Sequence, residues 1–315
     1  MNKVELTKCY TLVAAGCSHT QGCAFSHTEY YGEVRYKWAN QAIADKFGVE
    51  CTPDFITNNL TWMAYLRKHL NIGKIFNLGY GGLGTHSTIR SLQNYFFNTP
   101  DLSNHLIIIQ LQSPLRNEML IRSETGRISL ENIGHFLNYS YPDNSKLSTG
   151  LQRDFYDYFY DEKYLTIDYF YQLLFIQKLF EKSGAEVRMF GKPWYNFPTF
   201  STKEIKIYDE LFSRYVKVGY EKDKQGPVSL VDLFTSLNII DTRGMSEFMG
   251  KKTGEKTHQS HIPTLHKAYG LEGDFHYSEE GNSYLAEHIA DVINKKKKIT
   301  GEFGADAILK LNELI

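Results

Sequence analysis

The sequence predicts an α/β fold built on a parallel sheet, and two observations lead there. Four short apolar runs read as strands: Tyr10 to Ala15, Lys74 to Leu78, Leu106 to Leu111, and Glu186 to Phe190. Helical patterns lie between them, and strands alternating with helices favour a parallel sheet with right-handed crossovers.

The third run is the most telling of the strands. Leu106-Ile107-Ile108-Ile109 is apolar without alternation, which is how a strand covered on both faces reads. Tyr169, Leu173, Ile176 and Phe180 fall at i, i+4, i+7 and i+11, with Gly184 where a helix stop is expected. The tract from Phe155 to Phe175 is crowded with Tyr and Phe; it reads as an amphipathic helix on the sheet, with a sugar-stacking surface as the sharper alternative. From about Arg122 to Gly150 strong periodicity is absent, and an inserted loop or lid is expected there. Leu285, Ile289 and Val292 share one face of a helix with Ser278 at its N-cap and two acids in its first turn. The run Lys295 to Lys298 suits that helix's C-terminus as a solvated tail. Residues 301–315 are expected to form a C-terminal helical tail.

The chain has 315 residues, 42% of them apolar and 14% aromatic. A prior of roughly 150 residues per domain suggests two domains, but single α/β domains reach this size. One α/β domain over 1–300 is expected, with insertions at about 113–184 and 193–270. Thirty-five basic residues nearly cancel 36 acidic ones, so broad nucleic-acid binding is not expected. The four cysteines, Cys9, Cys17, Cys23 and Cys51, read as reduced thiols rather than a disulfide framework. Leu12 to Cys17 superficially resembles a lipoprotein cleavage site, but the apolar stretch before it is too short and the start carries mixed charge. No run approaches the about 18 apolar residues of a membrane span. A cytoplasmic protein without membrane contact is therefore expected.

Three strand-to-helix junctions carry residues capable of chemistry. Gly16-Cys17-Ser18-His19-Thr20-Gln21-Gly22 follows the first run. A serine there projects into the crevice where parallel sheets bind ligands, although a serine can equally cap a helix. Asp274-Phe275-His276 precedes the last helix. From that position an imidazole can take a proton from a serine while a carboxylate fixes its tautomer. Asn77-Leu78-Gly79-Tyr80-Gly81-Gly82-Leu83-Gly84 lies between them. Its glycines permit close backbone approach and leave N–H groups to face an oxyanion. The same stretch contains Gly79-x-Gly81-x-x-Gly84, the dinucleotide fingerprint. The acidic residue that would bind the ribose is missing, since the next strand run ends near Gln112 and Asp101 precedes it. His258, His261 and His266 cluster without zinc-site spacing; no metal and no organic cofactor is expected.

These blocks together resemble the GDSL, or SGNH, hydrolase superfamily. Gly16 to Gly22 is similar to its first block, Gly-Asp-Ser-x-Thr-x-Gly. Asn77-Leu78-Gly79 with Gly82 resembles the second, and Asp274-Phe275-His276 the last. The resemblance spans most of the chain but rests on about fifteen positions. It implies a three-layer α/β/α sandwich of flavodoxin-like type around a parallel sheet of about five strands. It also implies acyl-ester hydrolysis, O-acetyl groups on carbohydrate included. Ser18 would be the nucleophile, His276 the base and Asp274 its orienting acid, with the N–H groups of Ser18 and Gly82 as oxyanion hole.

Three departures stand out. Cys17 replaces the first block's Asp, and Asp274 stands two residues before His276 where many members have three. The third block, whose Asn completes the oxyanion hole, is replaced by Gln112-Ser113-Pro114-Leu115-Arg116-Asn117-Glu118. Gln112, Ser113 or Asn117 could supply a third donor, and Arg116 could hold a charged group of the substrate. The Gly-Cys-Ser start with this third block is similar to divergent forms encoded by tailed bacteriophages. That suggests an alternative: a structural or assembly protein of a virion, self-associating or bound to other virion proteins, with a weakened site. Dinucleotide binding through Gly79, Gly81 and Gly84 is the second alternative.

Overall fold

The computed structural model describes residues 9–22, 41–42, 44–50, 52–80, 84–112, 118–122, 128–132, 162–191, 200–216, 229–240, 249, 251–253, 263–264, 268 and 276–294. The sheet contains β1 (Tyr10–Ala15), β2 (Ile72–Asn77), β3 (His105–Gln110), β6 (Glu186–Phe190) and β7 (Ile239–Ile240). Their order is β2-β1-β3-β6-β7 and every pairing is parallel. The chain runs outward from β1 to β2, then crosses to β3 on the other side. The resulting reversal between β1 and β3 is the point at which open α/β sheets bind ligands, beyond the strands' C-terminal ends.

Side-chain alternation divides the core into two layers. Val13 and Ala15 of β1, Ile107 and Ile109 of β3, and Val187 and Met189 of β6 face one side. Leu12 and Ala14, Leu106 and Ile108, and Phe190 face the other. Both faces of the central strands are therefore apolar, which accounts for the unbroken Leu106–Ile109 run. The first layer is closed by α4 (Thr85–Asn98), α5 (Glu162–Lys182), α6 (Thr202–Val216) and α7 (Leu230–Ser236). The second is closed by α3 (Trp62–Leu66) and α8 (Glu279–Asn294). Two short helices, α1 (Ser18–Gln21) and α2 (Pro53–Asn59), complete the described helices that bear on the site. The arrangement is the three-layer α/β/α sandwich with five parallel strands.

The expected helix over 169–180 forms the centre of α5, and Tyr169, Leu173, Ile176 and Phe180 are all buried. Ile167, Phe170 and Leu174 are buried too, so the stripe is wider than the four-residue pattern. Helix α5 ends in a Schellman motif: Ala185 N–H donates to Phe180 O and Gly184 N–H to Glu181 O. Gly184 has φ +89°, a left-handed conformation that glycine adopts without Cβ strain. Beyond β3 the structure adds an antiparallel hairpin, β4 (Glu118–Arg122) with β5 (Ile128–Asn132). It occupies part of the stretch in which periodicity looked weak; 133–150 lie outside the described residues, as do 295–315. Among the described residues no helix is long and apolar enough to cross a membrane.

Candidate functional site

The site is built at the C-terminal ends of β1, β2 and β3. Ser18 is the first residue of α1, one residue beyond Cys17, whose extended backbone ends the strand's run and whose carbonyl accepts from Thr20 and Gln21 N–H. The turn closes at Gly22, in the left-handed conformation, with its N–H on Ser18 O. Space in this turn is short. A Cβ on Gly16 would lie 2.5 Å from Thr20 Oγ1 and 2.8 Å from Gln110 Cβ, so a glycine there lets the turn sit directly on β3.

His276 reaches the same place from the other end of the chain. Tyr277 forms an antiparallel bridge with Thr264, and Ser278 N–H donates to Pro263 O. Ser278 then caps α8, its Oγ accepting from Gly281 N–H at 3.2 Å, with Glu279 and Glu280 in the first turn. Asn282, buried on α8, accepts from Trp62 N–H and donates to the carbonyls of Tyr277 and Ser278. Helix α3, the head of α8 and the segment carrying His276 are thereby tied together.

The result is a short contact: His276 Nε2 lies 2.7 Å from Ser18 Oγ. The imidazole is also packed. The ring of buried His19 lies 4.4 Å from that of His276, tilted by 32°, and 5.1 Å from that of Tyr277, edge-on. Burial pushes the Tyr277 phenol well above its ordinary range, so it stays neutral beside the histidines.

Of the other residues singled out from the sequence, Gln112 is buried on α4, with Nε2 donating to Thr88 Oγ1 at 2.7 Å. Cys17 carries a buried thiol and Cys9 an exposed one, neither in a disulfide. Asp274, Gly82, Ser113, Arg116 and Asn117 lie outside the described residues, as do Gly81, Cys23, Cys51, His258, His261 and His266. In the glycine stretch, Gly79 is used for close approach: a Cβ would lie 2.7 Å from Gln21 N. Asn77 joins the same two loops, donating to Thr20 O and Thr57 Oγ1 and accepting from Gly79 N–H. The fingerprint thus follows the sheet's edge strand β2 rather than the β1/β3 reversal. Among the described residues no group of three or more His, Cys, Asp or Glu is placed to hold a metal ion.

Gln110 went unread in the sequence. It closes β3, is fully buried, and its Oε1 accepts from Thr20 Oγ1 at 2.7 Å and from the Cys17 thiol at 3.6 Å. The available signal was a glutamine directly after the apolar run Leu106–Ile109.

No protein-family model matches the chain, and no curated protein matches it in sequence. Among solved structures, the chain is similar to one described as the crystal structure of a member of the lipolytic protein G-D-S-L family from Veillonella parvula DSM 2008. The TM-score is 0.38 at 11% identity, over 91% of this chain and 99% of that one.

Proposed function

We propose that the chain is a serine hydrolase that cleaves acyl esters, with O-acetyl groups on carbohydrate as a substrate class. The observation that carries the reading is the 2.7 Å contact between Ser18 Oγ and His276 Nε2. It lies beside the β1/β3 reversal, where this sheet type binds ligands. The block resemblance of Gly16–Gly22 and Asp274–His276 supports the same assignment.

In this mechanism Ser18 Oγ attacks the acyl carbon as its proton passes to His276 Nε2. The tetrahedral intermediate collapses, the alcohol leaves with that proton, and an acyl-serine remains. Water activated by His276 then releases the acid and restores the serine. Asp274 is assigned the role of orienting His276, so that the tautomer whose Nε2 accepts the serine proton is favoured. The N–H groups of Ser18 and Gly82 receive the oxyanion, with Gln112, Ser113 or Asn117 as candidates for a third donor. Arg116 is assigned to a charged group of the substrate. The chemistry needs no metal or organic cofactor.

The test is hydrolysis of p-nitrophenyl acetate together with labelling by a fluorophosphonate. Wild type is run beside Ser18→Ala and His276→Ala, with folding followed by circular dichroism. Activity and labelling that both substitutions abolish, with the fold retained, support the reading. A Ser18→Ala protein as active as wild type, or a wild type that neither probe engages, overturns it.

A further inference from the structure

We propose that Gln110 is a positioning residue for Ser18, acting through Thr20 and Cys17; the inference rests on the serine-hydrolase reading. The nucleophile sits on a helix of only four residues, which has little hydrogen bonding of its own to fix it. Its orientation must come from what surrounds it. One oxygen, Gln110 Oε1, accepts from the residue before Ser18, Cys17 at 3.6 Å, and from the residue two after it, Thr20 at 2.7 Å. The two bonds bracket Ser18 and tie its turn to the end of β3, the strand on the far side of the reversal.

Three further features fit this role. Gln110 is fully buried, so water does not compete for its oxygen. Its Cβ fills the space that a side chain at Gly16 would need, which sets the turn against the strand rather than above it. Its Nε2 is buried and has no hydrogen-bond partner among the described residues. A buried amide with a stranded donor is costly, and this one is kept at a position that seats the turn of Ser18. The polar oxygen is explained by what it holds. Misplacing a reacting group by a fraction of an ångström lowers the rate of the step it performs more than it weakens substrate binding.

The test is steady-state ester hydrolysis and the fluorophosphonate labelling rate for Gln110→Met, Thr20→Val, their double variant, and Thr20→Ser. Gln110→Met and Thr20→Val are each expected to lower kcat and the labelling rate about tenfold or more, with KM little changed and Tm lowered, because each leaves a buried polar partner unmatched. The double variant is expected to be no slower than the slower single, because both remove the same link. Thr20→Ser keeps the hydroxyl and is expected to keep the rate. Full kcat in Gln110→Met overturns the proposal, and so does a loss that Thr20→Ser shares with Thr20→Val. Should Gln110→Met fail to fold, the Thr20 pair alone decides. A wild type that neither hydrolyses the ester nor takes the fluorophosphonate defeats the hydrolase reading itself, whereas equal rates in wild type and variants defeat only the role of Gln110.

Discussion

Ser18 Oγ and His276 Nε2 lie 2.7 Å apart although 258 positions separate them in the chain. Strand β1 delivers the first and the head of α8 the second, so the contact depends on how the two core layers close on the sheet. On the proposed mechanism both residues belong to one proton-transfer unit. Ser18→Ala and His276→Ala are each expected to lower kcat for acetyl-ester hydrolysis by on the order of 10³-fold or more. The double variant should be no worse than the weaker single. Additive losses would show that the two act separately.

Gly16→Ala places a Cβ 2.5 Å from Thr20 Oγ1 and 2.8 Å from Gln110 Cβ. Neither neighbour is the loose end of a flexible chain, so the turn must shift. Overpacking of this kind costs about 1–3 kcal/mol, and the shift is applied directly to Ser18. Thermal unfolding and ester hydrolysis should both suffer. An alanine variant with native Tm and native rate would contradict the tight seating of the turn on β3.

Asn282→Leu removes the acceptor of Trp62 N–H and the donor to Tyr277 and Ser278 O. Stranding a buried backbone donor costs about 1–3 kcal/mol. Because the same amide fixes the segment carrying His276, kcat should fall as well. Denaturant unfolding reads the first effect and hydrolysis the second.

Glu204 forms a capping box with Ser201, whose N–H donates to Glu204 Oε2 at 2.9 Å, and an ion pair with Lys163 of α5. The Lys163 hydrogen bond, followed by those from Ser201, lowers its carboxyl from an ordinary 4.5 to about 2. A lowered carboxylate stabilises the fold above its unfolded pKa, and that contribution is lost as pH falls through the folded one. The window is therefore about pH 4.5 to 2. The carboxylate is 36% exposed, so solvent screening reduces the contribution to roughly 0.5–1 kcal/mol. Glu204→Gln should lower Tm at pH 7 and match wild type near pH 2. A Tm difference that does not change with pH would contradict the charge-based account.

Much of the sheet can be read from the residues alone. The runs Tyr10–Ala15 and Glu186–Phe190 coincide with β1 and β6, and those at Lys74 and Leu106 differ from β2 and β3 only at their ends. Unbroken apolar runs carry their own evidence, since only a strand covered on both faces tolerates them. Strand β7, Ile239–Ile240, is two residues long and exists because Met189 and Phe190 pair with it; no local pattern that short distinguishes itself. The β4–β5 hairpin had a weak local sign, two short apolar-rich runs five residues apart with Gly126 between them.

The sequence by itself determined the class of fold, the faces of α5 and α8, and the two junctions at which Ser18 and His276 stand. Those properties follow from period and turn chemistry, which act between residues close in the chain. Tertiary structure alone decided that the two junctions meet, that His19 packs on His276, and that Gln110 and Asn77 grip the turn of Ser18. Each of these contacts joins residues far apart along the chain, with His19 meeting His276 and Gln110 meeting Thr20. Such contacts arise only when the sheet orders its strands around the reversal between β1 and β3 and the helices close over both faces.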